Sequence, residues 1–358
     1  MLIKRLKKII CLTVIGILSI TTLLGCGSSS SGSGKTEEKK ELNVFNWTEY
    51  IPENVVQEFE KEYGIKVNYS TFSSNEECLA KLQSSAEGTY DVVVPSDYMV
   101  SIMAQKGLLE KLDKDKLTNF GNVNKVYLNK DFDKGNEYSV PFDTAAGIIA
   151  INTDVVKEDI KSYKDLLNPK YINSMVVLDD QRALIGIALK ALGYSLNETD
   201  DAKLAEAKAF LEKLKPNIKL YDSDSPKSAL INGEASIGFT WNAEAALAMA
   251  ENKNIKVIYP QEGMFMTIDN FAIPKGAKNK ETAELFINFI LRPEVNKEIV
   301  EAFPYKSVNK AAADLLPDSY KNNPASNIPD SEMAKGESVK DLGEATAKFD
   351  KIWSEIKQ

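Results

Sequence analysis

The chain has 358 residues, with 44 Lys and Arg against 52 Asp and Glu, three cysteines and no histidine. The acidic balance argues against nucleic acid, whose recognition needs basic patches. The lack of histidine removes the commonest general base, the Ser-His triads and histidine metal sites, and Cys11, Cys26 and Cys78 cannot build a disulfide framework or a thiolate metal site.

Read from the start, MLIKRLKK is basic, IICLTVIGILSITTLL is apolar, and LLGC follows. This is the layout of a secretory signal over residues 1–25. The apolar run, about 16 residues, is shorter than the ~20 of a membrane span. It stops at Gly25-Cys26-Gly27 with no basic stop-transfer flank. LLGC resembles a lipobox, which implies lipidation at Cys26 and an extracytoplasmic domain anchored to the cell membrane, facing the periplasm in a diderm host. Residues 26–40, CGSSSSGSGKTEEKK, read as a flexible Gly/Ser tether. Within it GSGKT looks like the end of a phosphate-binding loop. The full pattern needs Gly where Ser29 stands, and no strand or helix flanks it. Removing residues 1–25 takes away Lys4, Arg5, Lys7 and Lys8, which leaves 333 residues, 40 cations against 52 acids and a net charge of −12. That length supports two cores.

From Glu41 the pattern alternates. LNVFNW predicts a strand, and PENVVQEFEKEYG a helix with Pro52 near its first turn and Gly64 as its stop. IKVNYSTF is a strand, NEECLAKLQSS a helix, YDVVVPS a strand, and MVSIMAQKGLLEKL a helix ending near Lys111-Leu112. GIIAINT and MVVLDD are strands, followed by the helices QRALIGIALKALGY and DAKLAEAKAFLEKLKPN. IKLYDSD and SALINGEASIGFTWN form a strand pair around a helix, and EAALAMAENKN is helical. MTIDNFAIPKGA is a strand, KETAELFINFILRPE a helix, and the chain closes on the helical EATAKFDKIWSEIKQ. Strand–helix–strand units with short joints predict a parallel sheet.

In open α/β sheets ligands bind beyond the carboxyl ends of the strands. The residues just past the predicted strands are Trp47-Thr48-Glu49-Tyr50, Ser96-Asp97-Tyr98, Asp179-Asp180, Trp241-Asn242 with Glu244, and Asp269. They are carboxylates and aromatics, with Arg182 the one cation among them. Each has an ordinary structural explanation: rim packing for the aromatics, a helix cap for Asp179-Asp180, a strand-end cap for Asp269, a solvated first-turn acid for Glu244. Together they suit a cationic, aliphatic ligand, because carboxylates take charge-assisted hydrogen bonds from ammonium groups and ring faces cover methylenes. Beyond the signal only Arg182 and Arg292 remain, few for an anion site.

NWTEY, SSNE (Ser73 to Glu76), YDVVVPSDY, KLTNF, LNKDFD, IGFTWN, NFAIPKGAKNKE and FILRPEV carry a resemblance. In this order and spacing, from about Leu42 to the C-terminus, the chain resembles the spermidine/putrescine-binding lipoproteins and periplasmic proteins that feed polyamine ABC importers. The resemblance implies an α/β, two-lobe type II periplasmic-binding-protein fold, each lobe a mainly parallel sheet flanked by helices, joined by a double crossover hinge. The crossings are expected near Phe142-Asp143-Thr144 and Thr267-Ile268, giving lobe 1 as residues 41–142 plus 269–310 and lobe 2 as 143–268 plus 311–358. It implies ligand contacts at Trp47, Thr48, Glu49, Tyr50, Ser96, Tyr98, Asp180, Trp241, Asp269 and Tyr305, and Glu244 aligns with an acid of putrescine-preferring relatives. Three departures bear on which polyamine binds: Ala183 where the family has Glu, Thr267 where it has Trp, and Val339 where it has Gln. Asp143, near the first crossing, is a candidate replacement for the missing acid. The expected partners are a polyamine and the membrane permease subunits, with the protein a monomer and no cofactor. Two other readings compete. One is a glycosidase using paired carboxylates. The other keeps the fold for another small ligand such as ferric iron, thiamine or an anion.

Overall fold

The computed structural model describes residues 40–358. The signal, Cys26, the GSGKT stretch and all of the tether but Lys40 lie outside the described residues. No described helix is long and apolar enough to cross a membrane.

The first half of the pattern folds as β1 (Glu41–Trp47), α1 (Glu53–Tyr63), β2 (Lys66–Phe72), α2 (Asn75–Ser84), β3 (Val92–Val93) and α3 (Asp97–Gln105). Helix α1 buries Val55 and Phe59, four apart on one face, and ends where Gly64 takes the left-handed conformation (φ 65°) and donates its N–H to the Glu60 carbonyl. A Ser74 hydroxyl caps α2 at the Glu77 N–H.

The chain continues through β4 (Ser139–Asn152), β5 (Met175–Val177), α4 (Gln181–Ala191), α5 (Asp201–Leu214), β6 (Ile218–Tyr221), α6 (Lys227–Ile231), β7 (Ile237–Trp241), α7 (Asn242–Glu251), β8 (Ile255–Ile258) and β9 (Phe265–Ala272). Then come α8 (Lys280–Ile290), α9 (Pro293–Ala302), β10 (Lys306–Ser307), β11 (Glu337–Ser338) and a terminal helix, Thr346–Lys357. The Asp180 carboxylate caps α4, and ten of that helix's eleven residues are buried, so it is a core helix with no solvent face. The terminal helix contributes Phe349, Ile352 and Ile356 to the same hydrophobic cluster as α4 and α5.

The eleven strands join in one sheet of order β2-β1-β3-β9-β4-β7-β5-β6, with β8 and β10 on β4 and β11 on β9. Two triplets are parallel, β2-β1-β3 and β6-β5-β7. Between them run β9 and β4, antiparallel to each other and to the neighbouring triplets. The α/β class with mainly parallel halves is therefore as expected, and the antiparallel centre was not. Thirteen of the fourteen residues of β4 are buried, as a strand covered on both faces requires. GIIAINT is only the second half of this strand. Its first half, SVPFDTA, carries Pro141, which cannot donate to a ladder, and the register with β9 shifts between Pro141 and Asp143.

Two further differences have local causes. The helix expected to reach Lys111-Leu112 stops at Gln105, because Gly107 turns left-handed (φ 67°) and the following segment runs beside the end of β9, where the Lys275 N–H donates to the Leu108 carbonyl. Strand β8 and helix α9 were not anticipated: β8 is four residues long, and α9 directly follows α8 across Arg292-Pro293.

The C-terminal segment is held to β9 by a close backbone contact. At Gly263 (φ 88°) an added Cβ would sit 2.0 Å from the Lys335 carbonyl oxygen, and backbone cannot yield that distance. Gly263→Ala is expected to lower stability by about 2–3 kcal/mol or more, read as a melting temperature several degrees lower. The control Gly233→Ala has a comparable positive φ but open space around its Cβ and should cost less.

Candidate ligand-binding cleft

One cavity, about 580 Å³ of atom-free space with the open solvent included, lies at the carboxyl ends of both parallel triplets. Every candidate ligand residue lines it. Trp47, Thr48, Glu49 and Tyr50 follow β1, Ser96 and Tyr98 follow β3, Asp180 follows β5, Trp241 and Glu244 follow β7, Asp269 lies in β9, and Tyr305 precedes β10. Ser73 and Asn75 beyond β2 and Ser223 and Asp224 beyond β6 complete the ring. The strand-end rule also covers those two stations, and applying it to all strands would have found them.

Asp269 is the most enclosed of these acids, 2 % exposed. Tyr50 Oη and Ser96 Oγ donate to its two oxygens, each at 2.5 Å. Ser96 is held in turn by Asn75, whose amide exchanges two hydrogen bonds with it at 3.0 Å. Burial pushes the Asp269 carboxyl up to about 6 against the pull of both hydroxyls. Directly across the β4–β9 ladder stands Asp143. Burial, then the charge of Asp269, holds Asp143 well above the carboxylate range, and its Oδ1 has no hydrogen-bond partner among the described residues. This buried neighbour is therefore the member of the pair that holds its proton more strongly.

Aromatic faces form the walls. Trp47 donates its indole N–H to the Val94 carbonyl at 2.8 Å and packs on Phe72, ring centroids 4.4 Å apart. Tyr50 stacks at a tilt on Tyr305 at 4.9 Å, and Trp241 lies 6.0 Å from Phe265. Tyr98 donates to Glu76 at 3.0 Å. Asp180 is half-buried, and desolvation followed by the nearby Glu76 raises it to about 6.

Of the other strand-end acids, Asp179 turns outward to Lys357 at 2.8 Å, and Asp97 is buried and raised to about 8, chiefly by desolvation. Neither lines the cleft. As expected, Arg182 is the one cation among the residues that line the cavity. Its guanidinium stacks over Tyr98 (5.0 Å) and Phe349 (5.2 Å) and donates to the Lys340 carbonyl at 3.0 Å, so it is committed to packing. A second cation, Lys227, reaches Glu49 and Glu244 from α6. Its position in sequence, inside SPKSAL, carries no sign of this contact. The three departures also separate: Thr267 lines the cleft, whereas the Ala183 side chain is buried in α4 and Val339 faces a groove elsewhere on the surface.

The lining is rich in acids and aromatic rings. It offers carboxylates whose ionised forms burial makes costly, between apolar ring faces. A cation with an aliphatic body relieves that cost and covers the rings.

A family model described as bacterial extracellular solute-binding protein matches residues 54–328. The chain is 41% identical over 339 residues to the spermidine/putrescine-binding periplasmic protein of Salmonella typhimurium, covering 94% of this chain and 97% of the relative. It is similar in structure to the spermidine/putrescine ABC transporter substrate-binding protein of Streptococcus pneumoniae, with a TM-score of 0.75, 35% identity, and coverage of 89% and 98%. A lipoprotein of Treponema pallidum superposes with a TM-score of 0.80 at 31% identity, covering 88% of this chain and 99% of that one.

The raised acid gives a pH signature. An unfolded Asp titrates near 4 and folded Asp269 at about 6, so between these values the folded state keeps a proton that the unfolded state has lost. The group's contribution is present at low pH and is lost as pH rises through 6, a change on the order of 3 kcal/mol. Ligand-free Asp269→Asn is therefore expected to melt higher than the parent at pH 7.5, with the gap shrinking towards pH 4.5 in scanning calorimetry.

Proposed function

We propose that this chain, which belongs to the bacterial extracellular solute-binding protein family, captures the polyamines spermidine and putrescine in its cleft and delivers them to the permease subunits of an ABC importer. It is an extracytoplasmic binding protein and not an enzyme, which retires the glycosidase reading. The observation that carries the ligand class is the pairing of desolvated acids, Asp269 and Asp180, with the indole faces of Trp47 and Trp241 in one cavity. The names of the relatives agree with this class.

In this reading an ammonium group docks on Asp269, whose orientation Tyr50 and Ser96 hold. The methylenes lie against Trp47 and Trp241, and Asp180, fixed by its cap on the Ala183 N–H at 2.9 Å, takes a second ammonium. The lobes are residues 41–142 plus 269–310 and 143–268 plus 311–358, hinged where β4 and β9 pass from one parallel triplet to the other. Closure around the ligand presents both lobes to the permease. Lipidation at Cys26 anchors the chain, and the protein acts as a monomer. The lipoprotein from Treponema pallidum and the two acyl chains that stable anchoring requires favour the anchor.

Isothermal titration tests the site. Asp269→Ala should lose binding of both polyamines by several kcal/mol, the cost of an ammonium left unpaired. Trp241→Ala should lose roughly 0.5–2 kcal/mol, and circular dichroism should show both variants folded. Unchanged affinity in Asp269→Ala would remove the central contact. For the anchor, Cys26→Ala is expected to move the protein from the membrane fraction to the soluble one.

A further inference from the structure

Lys227 starts α6, and its ammonium is placed as a ligand ammonium would be. It bonds to Glu49 from the loop after β1, to both oxygens of Glu244 in the first turn of α7 at 3.1 and 3.0 Å, and to Ser225 Oγ at 3.1 Å. Three different acceptor groups match the three N–H donors of an ammonium. This is no ordinary surface pair, since the side chains of Lys227 and Glu244 are 17% and 5% exposed. Glu49 is held in the left-handed region (φ 54°), a conformation that costs a non-glycine residue. Burial works against the Lys227 charge, and the two carboxylates outweigh it and raise its pKa. Both carboxylates line the cavity described above.

We infer that Lys227 is a built-in ammonium that occupies one acidic station of the cleft and thereby sets the length and charge of the ligand. Resting on the polyamine reading above, this assigns the Glu49–Glu244 station to the protein's own lysine. Of the desolvated acids a ligand is left with Asp269 and Asp180, two anchoring points for the two ammonium groups of a diamine, while Asp224 in the same lining is solvent-exposed. A third amine near Lys227 meets a like charge that has already used the local acceptors. Lys227 thus acts through Glu49 and Glu244 as a specificity-determining residue and does not itself hold ligand.

The test is a set of titrations with putrescine and with spermidine on the full chain and on Lys227→Met, Lys227→Gln and Lys227→Arg. Removing the charge is expected to raise spermidine affinity at least tenfold relative to putrescine in both neutral variants, while Lys227→Arg keeps the parent ratio. The arginine arm separates charge from packing, because a purely structural role would change both affinities together and leave the ratio fixed. A neutral variant that folds and keeps the parent ratio, or shifts it towards putrescine, overturns the inference while the polyamine reading stands. A parent protein that binds neither amine overturns both, and that result appears before any variant is made.

Discussion

The antiparallel ladder between β4 and β9 is the contact on which the rest of the molecule depends. Eight residue pairs, from Ser139–Ala272 to Gly147–Phe265, carry the sheet from one parallel triplet to the other. Because these strands are continuous through both halves, the strand ends of the two triplets converge on one cavity. The same ladder puts Asp143 opposite Asp269 at its middle, where the register shift after Pro141 loosens the regular pairing. The place best suited to bend is thus also the place where the central acid is buried.

Burying carboxylates without full compensation is expensive, and the cleft shows how the fold bears it. Asp269 receives two hydroxyls, Asp180 a helix N-terminus, and Asp143 is pushed by burial towards its protonated form. Around them the aromatic side chains are fixed by contacts of their own: Trp47 by the Val94 carbonyl and Phe72, Tyr98 by Glu76 and the Arg182 guanidinium. A site stiffened this way is preorganised for charge, so binding energy is not spent on arranging its walls.

Charge is graded along the cleft. At the Glu49–Glu244 end a lysine of the chain supplies the counter-charge, whereas at the Asp269 end only hydroxyls do. The attraction for an incoming cation therefore concentrates on the acids that no side-chain cation satisfies. Arg182, the cation most conspicuous in the sequence, lines the same cavity, packs against Tyr98 and pulls the Asp180 carboxyl down against its desolvation.

Much of this could be read from the linear chain. Alternating apolar runs, Gly64 as a stop and Asp180 as a cap are local features whose physics operates within a few residues, so α1, α4 and most of the strands were legible. The chemistry of the site was legible too, since residues past parallel strands share one edge of the sheet whatever the details of packing, and the charge and aromatic content of NWTEY, DD and WN speak directly. What lay beyond reach depended on partners distant in sequence. The antiparallel crossing of β4 and β9 joins residues over a hundred positions apart. The pairing of Lys227 with Glu49 spans 178 positions, and the packing of Arg182 against Phe349 spans nearly as many. The separation of Thr267, on the cleft, from Ala183 and Val339, away from it, is of the same kind. Composition and short-range pattern determined that acids and rings, a setting suited to a cation, share the strand ends. Only tertiary structure decided which acids remain open to it, because which charges neutralise one another is set by through-space distance.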